Sequence, residues 1–127
     1  MNQTGAQLRL ELFVKDIDSF LDFYRRVLGF EIADDRRESA APYASVVRGS
    51  VRLGAVPAWE PVDPSTRYLP SGVEIVIEVE DVSAEFEHVQ ATGWPLVEGL
   101  QARAWGLTDF RLLDPDGYFL RITSAAP

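Results

Sequence analysis

From residue 8 to residue 14 aliphatic side chains take every second position, Leu8, Leu10, Leu12 and Val14, with Arg9, Glu11 and Phe13 between them. That is the period of a β-strand with one buried face, and it sends Arg9, Glu11 and Phe13 to the other face. The pattern returns at Val73, Ile75, Ile77 and Val79, which send Glu74, Val76, Glu78 and Glu80 the other way. In both copies an Asp, Asp16 or Asp81, then opens a helix. The first helix is expected over about 18–28, where Phe20, Phe23, Tyr24, Val27 and Leu28 recur at three- and four-residue steps and Gly29 is the stop. The second is expected over about 82–92, with Val82, Phe86 and Val89 on one stripe and Gly93 ending it.

Each helix is followed by three more strand signals. In the first copy they are Glu31-Ile32, Tyr43 to Val47 and Val51 to Leu53, the last two joined by a hairpin turn at Arg48-Gly49-Ser50. In the second they are Pro95 to Val97, Phe110 to Leu113 and Tyr118 to Ile122, the last two joined by the turn Asp114-Pro115-Asp116-Gly117. Between the copies Pro57, Pro61, Pro64 and Pro70 punctuate a linker that holds Trp59 and Tyr68. The organisation is one α+β domain over 1–127, with a first βαβββ module over 6–56, a linker over 57–71 and a second module over 72–124. A half of about sixty residues buries too little surface to stand alone, so the two curved, mixed sheets with their outer helices share a core or pair with another chain.

Counting residues removes much familiar chemistry. The 127-residue chain has no cysteine, which excludes disulfides, thiolate catalysis and sulfur-ligated metals, and its single histidine, His88, excludes two-histidine metal sites and most histidine relays within one chain. Twelve Lys and Arg against twenty Asp and Glu give a net charge of -8, which repels nucleic acid and anionic membrane surfaces and suits a neutral or cationic small partner. No stretch is apolar for long enough to span a bilayer, and the N-terminus lacks the pattern of a secretory signal, so a cytoplasmic protein is expected.

The paired modules, the segment from Val14 to Phe30 with its Phe23-Tyr24 and Leu28-Gly29, and Trp105-Gly106 through Phe110 into Asp114-Pro115-Asp116-Gly117-Tyr118 resemble the glyoxalase, bleomycin-resistance and extradiol dioxygenase proteins of the vicinal oxygen chelate superfamily. The resemblance covers nearly the whole chain. It implies two βαβββ modules whose helix-free faces are concave and line a cavity, and it leaves function open, because this fold hosts isomerases, dioxygenases, thiol transferases and binding proteins. Members that catalyse reactions usually place one His or Glu on each of four strands to hold a metal. Here the corresponding places hold Arg9, Leu53 or Gly54, Glu74 and Arg121. Only Glu74 can ligate, since a guanidinium has five donors and no acceptor. Recruiting Glu11 or Glu78 would give an all-carboxylate site for Mg²⁺ or Mn²⁺, opposed by two arginines.

The ligand-binding residues expected on this basis are Arg9, Glu11, Phe13, Glu74, Glu78, Phe119 and Arg121 on the cavity face, with Phe110 and the loop rings Trp59 and Trp105. Trp94 is expected to pack, His88 to sit on the surface, and Glu85, Glu87 and the run Asp34-Asp35-Arg36-Arg37-Glu38 to be solvated. In place of a metal, Arg9, Glu74 and Arg121 are expected to form one ion-paired cluster. The first functional reading is a protein of the bleomycin-resistance type without metal or other cofactor, a homodimer that sequesters a small hydrophobic or cationic organic molecule, such as a cationic antibiotic, in a cavity shared by two subunits. The alternative is a lyase, isomerase or dioxygenase of the same superfamily, working with a divalent metal or with Glu74 as base.

Overall fold

The structure, a computed structural model, describes residues 5–61, 63–67, 70 and 72–125; Tyr68 of the linker lies outside them. Strand β1 (Leu10–Val14) leads into helix α1 (Ile17–Asp22), which continues through a π-helical turn at Phe23–Val27. Three strands follow, β2 (Glu31–Arg36), β3 (Tyr43–Arg48) and β4 (Val51–Pro57). After a short 3₁₀ turn at Pro64–Arg67 the order repeats as β5 (Ile75–Val79), α2 (Val82–Thr92), β6 (Glu98–Ala102), β7 (Thr108–Leu113) and β8 (Phe119–Ser124). Each module forms a four-stranded mixed sheet, ordered β1-β4-β3-β2 and β5-β8-β7-β6, in which the first strand runs parallel to the last and the other pairs are antiparallel. No helix among the described residues is long and apolar enough to cross a membrane.

The capping chemistry is local. The Asp16 carboxylate accepts from the Asp18 amide at 3.0 Å and the Ser19 hydroxyl at 2.7 Å, bonds that hold its pKa below the usual carboxylate value, and Asp81 accepts from the Ala84 amide at 3.0 Å. Gly93 ends α2 with φ 81°, a left-handed conformation that a Cβ would strain. The π-helical turn lies where Phe23 and Tyr24, adjacent in sequence, both enter the core.

One buried cluster spans both modules, from Leu12, Val14, Phe20 and Phe23 to Ile77, Val89, Phe110 and Ile122. Trp94 packs against it, 4.7 Å from the Phe23 ring, and donates from Nε1 to the Leu113 carbonyl at 2.8 Å, which is the packing role its place after Gly93 predicts. The Asp114-to-Gly117 turn is a clip between the modules as well as a hairpin. Asp114 Oδ1 accepts from the amides of Asp116 and Tyr118, while Oδ2 accepts from the buried Tyr24 hydroxyl of the other module at 2.8 Å. Asp116 Oδ1 accepts from the Lys15 amide at 2.7 Å, and the Phe13 amide donates to the Tyr118 hydroxyl at 3.1 Å, so the exposed edge of β1 is covered by this turn.

Two expectations shift. The strand expected at Pro95 to Val97 begins later, at Glu98, because Pro95 has no amide to give to a ladder and only the Val97 amide reaches β7, through the Arg111 carbonyl at 2.8 Å. Glu85 is not solvated: it is ion-paired to Arg48, whose Nη1 also donates to the Leu28 carbonyl at 2.8 Å, so α2 is tied to the first module's hairpin.

Candidate functional site

Alternation along the strands divides each sheet into a face packed on its helix and an open face. On β4 the core takes Leu53 and Ala55, leaving Arg52, Gly54 and Val56 to the open side; on β7 it takes Phe110 and Leu112, leaving Asp109, Arg111 and Leu113. Register then fixes which open-face residues lie side by side. In the second sheet one row reads Glu98, Arg111, Arg121 and Val76 across β6, β7, β8 and β5. The repeat that carries Leu8 onto Val73 carries Glu11 onto Val76, and the equivalent row of the first sheet reads Asp34, Ser45, Gly54 and Glu11. Gly54 and Arg121 therefore occupy equivalent places, which decides between Leu53 and Gly54 as the third position that a metal-binding relative would use.

The two rows are built differently. In the first sheet Arg9 pairs with Glu11 at 3.3 Å, and both Glu11 carboxylate oxygens accept from the Tyr43 hydroxyl at 3.1 Å. Burial, followed by the hydrogen bond to Glu11, raises the Tyr43 pKa. A Cβ on Gly54 would lie 1.8 Å from Glu11 Oε2 and 2.4 Å from the Tyr43 hydroxyl, so the carboxylate occupies the space a larger residue would fill. Arg36 lies over the Tyr43 ring at 5.4 Å and pairs with Asp34 at 3.0 Å. With Arg52, Ser45 and Val47 these side chains line a cavity of about 490 Å³. Asp34 and Arg36, expected in a solvated run, are thus cavity residues: β2 extends to Arg36, and register sets them opposite Ser45 and Tyr43.

In the second sheet Asp109 is fully buried on the open side with three guanidiniums around it. Its Oδ1 accepts from Arg103 Nε at 3.0 Å and Nη2 at 2.8 Å, with Arg111 Nε at 3.6 Å, and Arg121 Nη1 is 4.0 Å from Oδ2. Arg103 also pairs with Glu98, and Arg121 Nη2 donates to Glu74 Oε1 at 3.0 Å. The expected trio of Arg9, Glu74 and Arg121 is accordingly two separate pairs. Arg9 takes Glu11, two residues away on its own strand face, and Arg121 takes Glu74 on the neighbouring strand.

The other expected residues divide. Phe13 and Glu78 are exposed on the open faces, and Phe119 lines a cavity of about 290 Å³ with Leu12, Ile75 and Tyr118. Trp59, 91% exposed, and Phe13 flank an open groove of about 610 Å³ with Arg67, and Trp105 is exposed at the β6–β7 turn. Phe110 faces no cavity: it is fully buried on the helix side of β7, 5.5 Å from the Phe86 ring, because the alternation that turns Asp109 outward turns Phe110 in. His88 is exposed, as its helix position predicts, with Nε2 3.0 Å from the Arg26 carbonyl. Asp109, Arg111, Arg103 and Glu98 carry no motif; the signal available for the first two was the alternation of β7 itself.

Charge is distributed unevenly. Arg9, Arg36, Arg52, Arg103, Arg111 and Arg121 are six of the twelve basic residues, and Glu11, Asp34, Glu74, Glu78, Glu80, Glu98 and Asp109 are seven of the twenty acids, so the open faces are nearly balanced and most of the net -8 lies elsewhere. The four places that metal-binding relatives would use hold Arg9, Gly54, Glu74 and Arg121, a set that does not fit a divalent ion. Among the described residues no group of three His, Cys, Asp or Glu side chains is placed to hold a metal.

A family model for the Glyoxalase/Bleomycin resistance protein/Dioxygenase superfamily matches residues 6–122. A lactoylglutathione lyase of Pseudomonas putida is 28% identical to the chain over 144 residues, covering 91% of this chain and 83% of that protein. Among solved structures, the bleomycin resistance determinant encoded on the transposon TN5 superposes with a TM-score of 0.75 at 25% identity, over 97% of this chain and 100% of that one. TioX from Micromonospora sp. ML1 gives a TM-score of 0.78 at 24% identity, over 96% and 100% of the two chains, a likeness of fold.

Proposed function

The chain belongs to the Glyoxalase/Bleomycin resistance protein/Dioxygenase superfamily, and from that premise we propose that it is a cytoplasmic small-molecule-binding protein that sequesters an organic compound between the open faces of its sheets, in a cavity completed by a second copy of itself and without a metal. The observation that carries this reading is the Arg121–Glu74 pair standing where a catalytic relative would place metal ligands, with Gly54 and Arg9 at the two equivalent positions of the other module. A guanidinium replaces the positive charge of an ion but offers neither Lewis acidity nor an open coordination position, so the site is suited to binding. The exposed rings of Trp59 and Trp105 supply stacking surfaces.

Dimerisation is supported by the groove of about 790 Å³ lined by Leu8, Leu10, Val51, Leu53, Val73 and Ile75, which leaves Leu8 and Val73 largely exposed in a single chain. Light scattering at micromolar concentration is expected to give twice the chain mass; a monomer would remove the shared cavity. A thermal-shift panel of hydrophobic and cationic ring compounds, basic antibiotics among them, is expected to yield stabilising ligands. Turnover of hemithioacetals or catechols with added Fe²⁺, Ni²⁺ or Mn²⁺ would instead favour an enzyme like the Pseudomonas putida relative. With a ligand from the panel, Trp59→Ala is expected to weaken binding about tenfold, 1.4 kcal/mol, while moving stability by less than about 0.5 kcal/mol, as for other exposed positions. A loss of stability with affinity unchanged would make Trp59 a packing residue.

A further inference from the structure

The second sheet's open face holds two arginines whose hydrogen-bonding capacity is largely unused. Arg111 and Arg121 are directly opposite each other on β7 and β8, and both side chains are mostly buried, 24% and 22% exposed. Among the described residues the Arg111 guanidinium makes no hydrogen bond, lying 3.6 Å from both Glu98 Oε1 and Asp109 Oδ1, and Arg121 makes one, to Glu74. The Nε atoms of both are enclosed without an acceptor. The enclosed Nε atoms are out of a ligand's reach, but the Nη groups of Arg111 and Nη1 of Arg121 make no hydrogen bond among the described residues and are the donors a ligand can meet.

The partner that best answers such a pair is a planar oxoanion. An arginine fork presents paired N–H donors that match the two oxygens of a carboxylate, and charge-assisted bonds of this type are the stronger ones. Asp109 lies beneath, fully buried, with all three guanidiniums gathered on it, and acts as the positioning residue that holds Arg111 and Arg121 together. At the equivalent places of the first sheet stand Ser45 and Gly54, where the Glu11 carboxylate and the Tyr43 hydroxyl fill the space over the glycine and no guanidinium pair is formed. We propose that Arg111 and Arg121 form the anion-recognising subsite of the cavity, and that the sequestered compound carries a carboxylate or a similar oxoanion on an apolar ring framework. This rests on the sequestration reading above and reverses the cationic preference that net charge alone suggests, because most of the acid excess lies away from these faces.

The test uses full-length protein and three isosteric probes, 2-naphthoate, neutral 2-naphthamide and cationic 2-naphthamidine, with inorganic phosphate as a ringless anion, followed by tryptophan fluorescence and by ¹⁵N–¹H shifts. Naphthoate is expected to bind at least tenfold more tightly than the amidine, to shift the Arg111 and Arg121 side-chain signals, and to lose tenfold or more in affinity in Arg111→Gln. Arg121→Gln gives a second variant should the first fold poorly, and Arg26→Gln, in the helical turn of the first module and paired only to Asp22 among the described residues, is the control expected to change naphthoate affinity less than twofold. Phosphate competing with naphthoate would place the recognition in the oxoanion itself. Equal or tighter binding of the amidine, or naphthoate affinity unchanged in both arginine variants, overturns the anion subsite while leaving sequestration standing. Failure of all four probes and of the wider panel overturns both.

Discussion

Replacing Asp109 with Asn is expected to destabilise the protein by about 3 kcal/mol, the lower end of what removing one partner of a buried ion pair costs. Asp109 is fully buried, and Arg103, Arg111 and Arg121 all approach it within 4.0 Å. The amide keeps one acceptor for Arg103, but its NH₂ group faces guanidiniums that donate and never accept, so donor meets donor. Arg103 retains Glu98 and Arg121 retains Glu74, whereas Arg111 is left with Glu98 alone at 3.6 Å. The expected result in urea unfolding is a lower midpoint with an unchanged slope. Adding Arg111→Met should recover part of the loss, because an apolar side chain of similar length removes one unmet positive charge. A variant within about 1 kcal/mol of wild type would mean that the three arginines do not depend on Asp109. Naphthoate affinity should also fall in Asp109→Asn, since the guanidiniums would separate, and Arg103→Gln should change it less.

The architecture was legible because the signals that make it are local and repeated. Period-two aliphatics, an Asp capping a helix and a Gly ending it recur in both halves, and the observed elements follow them, apart from the π-helical turn at Phe23–Val27, β2, which runs on to Arg36, and β6, where Pro95 delays pairing until Glu98. The superfamily was legible from the same elements plus the Asp114-to-Gly117 turn. The open faces were legible strand by strand: Arg9, Glu11, Glu74 and Arg121 lie on the sides that alternation assigns to them. What one strand cannot show is its partner across the sheet. Arg9 meets Glu11 rather than Glu74, Gly54 rather than Leu53 is the equivalent of Arg121, and Phe110 belongs to the core, all of which depend on register between strands far apart in sequence. Asp109 and Arg111 were missed for the same reason. A buried aspartate becomes meaningful only when β6, β7 and β8 bring three arginines to it. The two aspartates of the turn were read as turn formers, which they are, but their reach into the other module needs Tyr24 and Lys15, some ninety to a hundred residues away.

That clip also makes stability depend on pH in a way that one substitution should remove. Burial raises the Asp114 pKa from 3.8 to about 6, against the opposing effect of the hydrogen bonds it accepts from Tyr24, Tyr118 and Asp116, with the nearby Asp116 charge adding to the rise. A carboxyl whose pKa is higher in the folded than in the unfolded chain binds more protons when folded. Its contribution is therefore fully present below the unfolded value near 3.8 and is lost as pH climbs through about 6. A rise of that size corresponds to about 3 kcal/mol between pH 3 and pH 7. Asp116 is raised too, again chiefly by burial, and adds with the same sign. Other carboxylates titrate over this range, so the informative quantity is the difference in unfolding free energy between wild type and Asp114→Asn at each pH. The amide Oδ1 can accept from Asp116 and Tyr118, and its NH₂ can donate to a Tyr24 hydroxyl turned to accept, so no bond need be lost and no charge is buried. Relative to wild type the variant is expected to gain about 3 kcal/mol on going from pH 3 to pH 7, with most of the change between pH 4 and 6. Tyr24→Phe keeps the ring that packs 4.8 Å from Phe20 and 4.9 Å from Phe23 but withdraws the hydroxyl that favours the carboxylate. It should move the fall in stability to higher pH, the opposite of what the Asn variant does. Wild type and Asp114→Asn curves that run parallel from pH 4 to pH 7 would show that Asp114 has the same pKa folded and unfolded, and that the clip is held by hydrogen bonds alone.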